Sequence, residues 1–308
     1  MKYTLTKLFV ALTVAFGLAG PAFASEPEFI IGFPEDNMAN DWRAAQMREI
    51  ETELAKHPNV KFLMADAGGS VAKNIQDIES MARQGVQLLF LAPRDPDAVS
   101  LVVSRLRKQG VHIVLLTRKL TNDNYDTYIS PDDFKIAYEA GVLLSEKLKG
   151  SGRILMLEGV PTTSTSKRRK NGLLAGLGNY PGISVISKIA NYSRVQAIQV
   201  LDAALREGLK FDAIFAHNDA MATGAKIVLK KNGIDPASIP IIGIDFLPET
   251  REAILNGEQL ASFTYPTCGK VGVAAALEIL HGKKVPRFIP VPFQLVTLKN
   301  VNDVKSIY

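Results

Sequence analysis

The chain has 308 residues, of which 47% are hydrophobic, enough for two domains of ordinary size with their own cores. Its 36 basic and 31 acidic side chains leave a net charge of only +5, an excess too weak to indicate nucleic-acid binding. The single cysteine, Cys268, excludes a disulfide framework.

The first residues have the three parts of a secretory signal peptide. Lys2 and Lys7 precede an apolar run at 8–18, and Ala22-Phe23-Ala24 forms a small-x-small cleavage pattern. The apolar run is shorter than the roughly 20 residues of a membrane-spanning helix, which disfavours a retained membrane anchor. We therefore expect residues 1–24 to be a cleaved signal peptide and the mature chain to be exported.

Short apolar runs then alternate with longer amphipathic segments. The first group of predicted strands is 29–33, 60–65, 88–92, 113–117 and 127–129, with helices at 42–56, 71–84 and 96–109. After a change near Ser130-Pro131, strands are predicted at 153–157, 184–189, 213–216 and 240–245, with helices at 132–148, 167–177, 194–208, 219–232 and 249–255. Such alternation forms right-handed βαβ units, so the sequence predicts an α/β fold with two parallel sheets. A further helix at 270–280 and a proline-rich tail indicate that the chain crosses back between the two units near its end.

Polar residues cluster in the loops that follow the predicted strands. These loop residues are Asp36, Asn40, Asp41, Trp42, Arg43, Arg94, Asp95, Thr117, Arg118, Lys119, Tyr192, His217, Asn218, Asp219 and Asp245. In open α/β sheets, ligands bind at the carboxyl ends of the strands. Charged and amide groups suit vicinal hydroxyls and aromatic faces suit the apolar side of a ring, so the composition indicates a polyhydroxylated ligand.

Several of these residues have a structural alternative. Trp42 is expected to stack on the ligand, but it could equally be a core aromatic at a helix start. Either Asn218 or Asp219 could cap the helix that follows, and we expect Asp219 to do so and Asn218 to face the ligand. The basic run Lys167–Lys170 resembles a solvated helix face, from which we expect one residue to enter the cleft. Asp245 is explained by neither capping nor packing, because a buried carboxylate requires a partner.

Catalysis has little support in the sequence. GxSxG, HExxH and P-loop motifs are all missing, and no pair of histidines has metal-ligand spacing. We therefore expect a binding protein rather than an enzyme, with no cofactor and no metal.

The chain resembles the type I periplasmic binding proteins of the ribose/galactose-binding class. The resemblance is carried by IGFPEDNMANDWRAA, MARQGVQLLFLAPRDPDAV, VHIVLLTRKL, LEGVPTTSTSKRRKNGL, FAHNDAMATGA and IIGIDFLPE, and it extends over essentially the whole mature chain. It implies two Rossmann-like lobes joined by a three-segment hinge near Ser130, Tyr265 and Pro292. The implied lobes are 25–130 plus 266–291 and 131–265 plus 292–308.

The resemblance also implies where the ligand binds. The implied residues are Asp41, Trp42, Arg43, Thr117, Arg118, Arg169, Tyr192, Asn218, Asp245 and Tyr265. Arg169 stands where the family has a cleft arginine, three residues before a glycine, here Gly172. The polar position near one crossover falls at Tyr265 or at Pro266. The Trp42-Arg43 pair in DWRAA is more similar to the galactofuranose-binding members than to the ribose binders.

Three positions depart from the family pattern. Thr117 stands where the ribose- and galactose-type members have the aspartate of an Asp-Arg pair, Asp41 replaces an aromatic, and Ala92 replaces an asparagine. We therefore expect the cavity to lack the carboxylate that grips two adjacent hydroxyls. A polyol, a furanose, a sugar acid or a signalling molecule all remain open as the ligand.

Taken together, the resemblance implies a periplasmic solute-binding protein that delivers a sugar, polyol or sugar acid to an ABC transporter permease in the inner membrane. It implies a monomer that closes about its hinge and has no nucleic-acid partner. The alternative is a periplasmic sensing subunit for a histidine kinase or a chemoreceptor.

Overall fold

The computed structural model of this protein describes residues 28–178 and 180–307; the predicted signal peptide lies outside them. Its strands form two six-stranded sheets with helices packed against them, and this confirms the predicted α/β architecture. Nowhere in the described ranges is a helix both long enough and apolar enough to cross a bilayer.

The first sheet is built from residues 29–130 and one late strand. Its sequential elements are β1 (Phe29–Glu35), α1 (Asp41–Leu54), β2 (Val60–Asp66), α2 (Val71–Arg83), β3 (Leu88–Leu91), α3 (Pro96–Lys108), β4 (His112–Leu116) and β5 (Thr127–Ser130). The strand order is β11-β5-β4-β3-β1-β2, in which the late strand β11 (Phe288–Pro290) pairs in parallel with β5. All pairings in this sheet are parallel, as βαβ connections require.

The second sheet follows the same plan. Its elements are α4 (Asp133–Lys147), β6 (Ser151–Glu158), α5 (Ser164–Gly176), β7 (Gly182–Ile189), α6 (Arg194–Arg206), β8 (Ala213–Ala216), α7 (Asp219–Lys231), β9 (Ile241–Ile242), α8 (Pro248–Leu255), β10 (Ala261–Phe263) and β12 (Leu295–Thr297). The order is β12-β10-β9-β8-β6-β7, and only the β10–β12 pair is antiparallel.

The predicted bounds differ from the observed ones where a cap or a turn decides the end of an element. Helix α5 begins at Ser164 rather than at 167, because the side chain of Thr163 accepts a hydrogen bond from Ser166 N (3.2 Å) and caps the helix. Strand β9 covers two residues instead of six, and Asp245, the predicted last residue, has φ 119° and forms only an isolated bridge with Thr264. The sequence patterns also gave no strand at β10, β11 or β12, each of which has only three residues.

Both faces of each sheet are buried. In β3, Leu88 and Phe90 pack on the side of α1 and the late helix α9 (Gly269–Leu280), whereas Leu89 and Leu91 pack on the side of α2 and α3. Because successive strand residues point to opposite faces, a strand covered on both sides reads as a continuous apolar run. This is why the central strands were recognisable from their sequence.

The chain passes between the two sheets three times. The first passage follows β5, the second lies between β10 and α9, and the third lies between β11 and β12. These segments are hydrogen-bonded to one another: Val291 N donates to Ser130 O (3.1 Å), and Thr264 N donates to Gln294 O (2.9 Å). The carboxyl edges of the two sheets consequently face each other across a cleft.

Candidate functional site

A cavity of about 270 Å³ lies between the carboxyl edges of the two sheets. It is lined by Asp36, Asn37, Ala39, Asn40, Trp42, Arg43, Arg94, Thr117, Arg118, Val160, Thr165, Arg169, Asn191, Tyr192, Ser193, Gln196, Asn218, Asp245 and Tyr265. Most of these residues follow a strand directly, because the ends of parallel strands meet at one edge of each sheet. The two sheets thus contribute polar side chains to one cavity.

Nine of the ten predicted binding residues line this cavity, namely Trp42, Arg43, Thr117, Arg118, Arg169, Tyr192, Asn218, Asp245 and Tyr265. Asp41 does not. Its side chain is 70% exposed, and its Oδ2 lies 3.9 Å from Arg194 Nη2 at the rim. The reason is local: Asn40 is the N-cap of α1, so Asp41 is the first helical residue and its side chain lies outside the cleft.

The first wall of the cavity is the loop between β1 and α1. The Asn40 side chain accepts hydrogen bonds from Trp42 N (2.9 Å) and Arg43 N (3.3 Å), which fixes the start of the helix. Trp42 is only 6% exposed, its Nε1 donates to Tyr265 O (2.8 Å), and its ring packs with the core of the second sheet. Trp42 therefore belongs to a hydrophobic core, as the structural alternative states, and it also lines the cavity, while its stacking on a ligand stays a prediction.

Three of the lining arginines each lie next to a buried carboxylate. The Arg118 Nη1–Asp36 Oδ2 distance is 2.9 Å, the Arg169 Nε–Asp133 Oδ1 distance is also 2.9 Å, and Arg43 Nη1 lies 3.6 Å from Glu35 Oε2. All six side chains are less than a tenth exposed. A buried guanidinium requires such a partner, and the partner also fixes its orientation.

The Asp36–Arg118 pair bears on the expectation that the cavity lacks a carboxylate able to grip two adjacent hydroxyl groups. Thr117 indeed provides no carboxylate, but Asp36 at the end of β1 places one against Arg118. Burial by itself would raise the pKa of Asp36, but Arg118 and the hydrogen bond with Glu35 outweigh it and hold the pKa well below its usual range. Glu35 behaves in the opposite way: burial raises its pKa to about 8, although Arg43 opposes the rise. The adjacent carboxyls thus divide into one ionised and one protonated group at neutral pH.

Helix packing places Arg169 opposite Asp133. A Cβ atom added at Gly172 would lie 2.2 Å from Phe134 O, so α4 and α5 can approach this closely only with glycine at that position. Burial would lower the pKa of Arg169, but the carboxylate of Asp133 outweighs it and raises the pKa. Of the basic run at the start of α5, Arg169 is the residue that enters the cavity, whereas Arg168 pairs with Asp132 and Lys170 pairs with Glu158.

The cap of α7 differs from the expectation, which assigned it to Asp219. Asn218 is the N-cap of α7, and its Oδ1 accepts a hydrogen bond from Met221 N (3.0 Å), although it also lines the cavity. Asp219 is fully buried and accepts hydrogen bonds from Phe246 N (2.7 Å) and Ser262 Oγ (2.6 Å). Asparagine and aspartate both cap helices well. Here the hydrogen bonds from Phe246 and Ser262 engage the Asp219 carboxylate, and Asn218 forms the cap.

Asp245 lies on the floor of the cavity in a left-handed conformation, with φ 119°. Within the described part of the chain its carboxyl group forms no hydrogen bond and no ion pair, and burial raises its pKa well above the usual range. The neighbouring backbone is held by Asp219, because Phe246 N donates to that carboxylate. An acceptor held in this way is available to hydroxyl groups of a ligand.

The two halves touch each other across the mouth of the cavity. Asn40 Nδ2 donates to Tyr192 O (3.1 Å), Thr165 Oγ1 donates to Thr117 O (2.8 Å), and Lys119 N donates to Ser164 Oγ (2.8 Å). Each bond joins a loop of the first sheet to a loop or helix of the second. Direct contacts between the two halves therefore narrow the mouth of the cavity.

Sequence reasoning left several lining residues outside the predicted set, among them Asp36, Arg94, Thr165 and Gln196. Asp36 and Arg94 carry a recognisable signal, since both are charged and stand just after a strand. Thr165 and Gln196 lie in the first turns of helices α5 and α6, where a polar side chain has many other roles. No pattern in the sequence separates them from ordinary helix-start residues.

Known proteins that are similar to this chain are periplasmic binding proteins. Residues 31–284 match the model of the periplasmic binding protein domain. The ribose import binding protein of Bacillus subtilis is 29% identical over 300 residues, which cover 95% of this chain and 97% of that protein. A putative rhizopine-binding protein of Rhizobium meliloti is 29% identical over 258 residues, covering 80% of this chain and 83% of the relative.

Solved structures agree with this result. The fructose-binding periplasmic domain of a hybrid two-component system superposes with a TM-score of 0.84 at 29% identity, covering 89% of this chain and 92% of that domain. The arabinose-binding component of an ABC transporter from Shewanella sp. ANA-3 superposes with a TM-score of 0.83 at 23% identity, covering 89% and 93%, and supports the fold. The resemblance inferred from the sequence is confirmed, as is the prediction of a binding protein rather than an enzyme. The chain belongs to the periplasmic binding protein domain family.

Proposed function

We propose that this protein is the solute-binding subunit of an ABC importer and delivers a sugar, a polyol or a sugar acid to a permease in the inner membrane. The observation that carries the proposal is the composition of the cavity between the two sheets. Its lining combines guanidinium, carboxylate and amide groups with three aromatic rings, and its volume is about 270 Å³. This volume is close to the lower end of small-molecule pockets, about 300 Å³, and suits a monosaccharide-sized ligand.

The lining provides both hydrogen-bond acceptors and hydrogen-bond donors for the hydroxyl groups of a ligand. Asp36 and Asp245 can accept hydrogen bonds from hydroxyl groups, and Arg118 and Arg169 can donate to hydroxyl oxygens. Trp42 offers an indole face to the apolar side of a sugar ring, as aromatic residues do in many ligand pockets. We assign the binding role to the nine predicted residues that line the cavity, together with Asp36.

Binding is coupled to a hinge in this proposal. The lobes comprise 25–130 plus 266–291 and 131–265 plus 292–308, and they move about the three crossover segments. Contacts across the mouth, such as Asn40 Nδ2 to Tyr192 O, form on closure and exclude water from the ligand. The permease then recognises the closed monomer.

Export to the periplasm is part of the same proposal, because the family consists of periplasmic proteins. Residues 1–24 would be removed as a signal peptide. The intact mass of the protein recovered from a periplasmic fraction tests this, and a mature N-terminus near Ser25 is expected. A protein retained in the membrane fraction with its full mass would contradict it.

A sensing role is the second candidate. It is favoured by the similarity to the periplasmic domain of a hybrid two-component system, whose fold this chain shares at 29% identity. Genes for a permease and an ATPase beside this one would favour transport, whereas a histidine kinase gene would favour sensing. Loss of uptake of the bound ligand on deletion of the gene would decide for transport.

The central experiment is a thermal-shift screen over sugars, polyols and sugar acids, followed by calorimetry on the compounds that raise the melting temperature. A ligand at 100 times its dissociation constant stabilises the folded protein by about 2.7 kcal/mol, which such a screen detects readily. The Asn218→Ala variant is the matched test of the site, because this residue lines the cavity. A complete absence of stabilisation over the whole panel would refute the proposed function.

A further inference from the structure

Arg94 stands at the mouth of the cavity in the loop between β3 and α3. Its side chain is 26% exposed, and its nearest carboxylate oxygen, Asp36 Oδ2, lies 3.8 Å from Nη1. Within the described ranges, the guanidinium forms no hydrogen bond, whereas the backbone oxygen of Arg94 accepts one from Thr162 Oγ1 (2.6 Å). The backbone is therefore anchored to the opposite lobe while the charged group is left available.

The other lining arginines differ in this respect. Arg43, Arg118 and Arg169 are paired with Glu35, Asp36 and Asp133, respectively. The Nη1 atom of Arg94 lies 3.8 Å from Asp36 Oδ2, and the same oxygen is already paired with Arg118 at 2.9 Å. The side of the cavity formed by the first sheet thus presents one guanidinium, that of Arg94, without a carboxyl partner of its own.

On the opposite side, the carboxyl group of Asp245 forms no ion pair with Arg94 or with any other cation in the described residues. Its position suits donation from hydroxyl groups rather than contact with an anion. A ligand can therefore place a negative group against Arg94 and hydroxyl groups against Asp245. A planar guanidinium fork matches a carboxylate through two parallel hydrogen bonds.

From this geometry we propose that the ligand is a sugar acid of monosaccharide size, an aldonate or a uronate, whose carboxylate is held by Arg94. This inference rests on the proposed function, and it narrows the ligand class within it. One guanidinium without a carboxyl partner of its own suits a ligand with one carboxylate, which its planar fork can hold through two hydrogen bonds. Arg94 is then the residue that determines specificity between the neutral and the acidic member of a ligand pair.

Matched ligand pairs test this assignment by isothermal titration calorimetry on the full mature protein. The pairs are xylitol with xylonate, ribitol with ribonate, glucitol with gluconate, and galactose with galacturonate. Within at least one pair, the wild-type protein should bind the acid at least about tenfold more tightly than the neutral compound, as expected for a charge-assisted bidentate contact. The Arg94→Gln variant should lose this preference and retain its affinity for the neutral compound, because the hydrogen bond from Thr162 is made to the backbone.

A control variant separates local recognition from the general charge of the lobe. Arg105→Gln removes the same charge from an exposed position on α3, where Arg105 pairs with Glu79 at 2.5 Å, and it should keep the preference for the acid. Two results would overturn the inference and leave the proposed function intact: tighter binding of the neutral members by the wild type, or an acid preference that survives Arg94→Gln. Tighter binding of ribose 5-phosphate than of every carboxylate would overturn the assignment to a sugar acid. If no member of any pair bound, this inference would be overturned, and the proposed function would be refuted as well only if the whole thermal-shift panel also failed to stabilise the protein.

Discussion

Replacing Glu35 by glutamine should remove a pH dependence of stability that this buried carboxyl group introduces. Glu35 is 1% exposed, and burial raises its pKa from 4.5 to about 8, even though Arg43 lies 3.6 Å away and opposes the rise. Asp36 contributes to the rise through a side-chain hydrogen bond and its negative charge. Between about pH 4.5 and about pH 8, Glu35 is therefore protonated in the folded protein and ionised in the unfolded chain.

The sign of the effect follows from this difference. A carboxyl group with a raised pKa in the folded state favours folding fully below the unfolded pKa of 4.5, and this contribution is lost as the pH rises to about 8. The change in pKa corresponds to at most about 5 kcal/mol of unfolding free energy. Asp36 adds no slope in this window, because its pKa lies well below it in the folded protein.

Urea unfolding of the wild type and of Glu35→Gln, between about pH 5 and about pH 8.5, measures this contribution. The glutamine amide can donate to Asp36 Oδ1, a buried atom with no hydrogen-bond partner among the described residues, so the fold should be retained. The free energy of unfolding of the variant should rise relative to that of the wild type by several kcal/mol across this range, on the order of 3–5 kcal/mol. The exposed Glu146→Gln variant should show a constant difference. A constant difference for Glu35→Gln as well would show that Glu35 is ionised throughout, and the proposed charge arrangement beneath the cavity would be wrong.

Three further predictions concern the cavity and its support. Asp245→Ala should weaken binding of the best ligand from the thermal-shift screen by one or more decades, about 1.5–3 kcal/mol, because a ligand hydroxyl group would lose a buried hydrogen-bond partner; calorimetry that gives an unchanged affinity would exclude this residue from the site. Gly172→Ala should destabilise the fold by about 1–3 kcal/mol in urea unfolding, because the added Cβ atom would lie 2.2 Å from Phe134 O; equal stability of variant and wild type would show that α4 and α5 can separate without cost. Trp42→Phe keeps an aromatic ring but removes the donor to Tyr265 O, so it should cost about 1–3 kcal/mol of unfolding free energy, and an unchanged midpoint and slope would contradict the importance of that bond. Since Trp42 is the only tryptophan in the chain and lines the cavity, the wild-type fluorescence should also change on ligand binding, and a constant spectrum at saturation would argue against contact.

Much of the fold and of the cavity could be predicted because the relevant signals are local. A strand buried on both faces reads as an apolar run, and the loop after it falls at the ligand edge whatever the order of the strands. Arg118 and Asp245 could be assigned in this way, since each follows a strand by no more than three residues. Short strands at the end of the chain, such as β11 (Phe288–Pro290), could not, because three residues carry too little periodicity.

The partners of the arginines could not be predicted, because they depend on strand order and helix packing. Asp36 follows β1 and Arg118 follows β4. Only β3 lies between these two strands in the sheet, so their ends lie on the same side of the cavity and the two side chains meet. Asp133 meets Arg169 only because glycine at position 172 lets α4 and α5 approach closely. Neither relation leaves a pattern within a window of the sequence.

These partners also divide the cavity into two layers with different consequences for ligand specificity. Glu35 and Asp133 lie behind the arginines and do not line the cavity, yet they fix the position of each guanidinium, so changing them should affect affinity for every ligand alike. Arg94 lines the cavity and has no carboxylate of its own, so its substitution alters the surface that the ligand meets while the supporting ion pairs remain in place. A fold that keeps its supporting pairs constant can therefore change its ligand through the loops that follow the strands. This is consistent with relatives at 29% identity whose names refer to ribose, rhizopine and fructose.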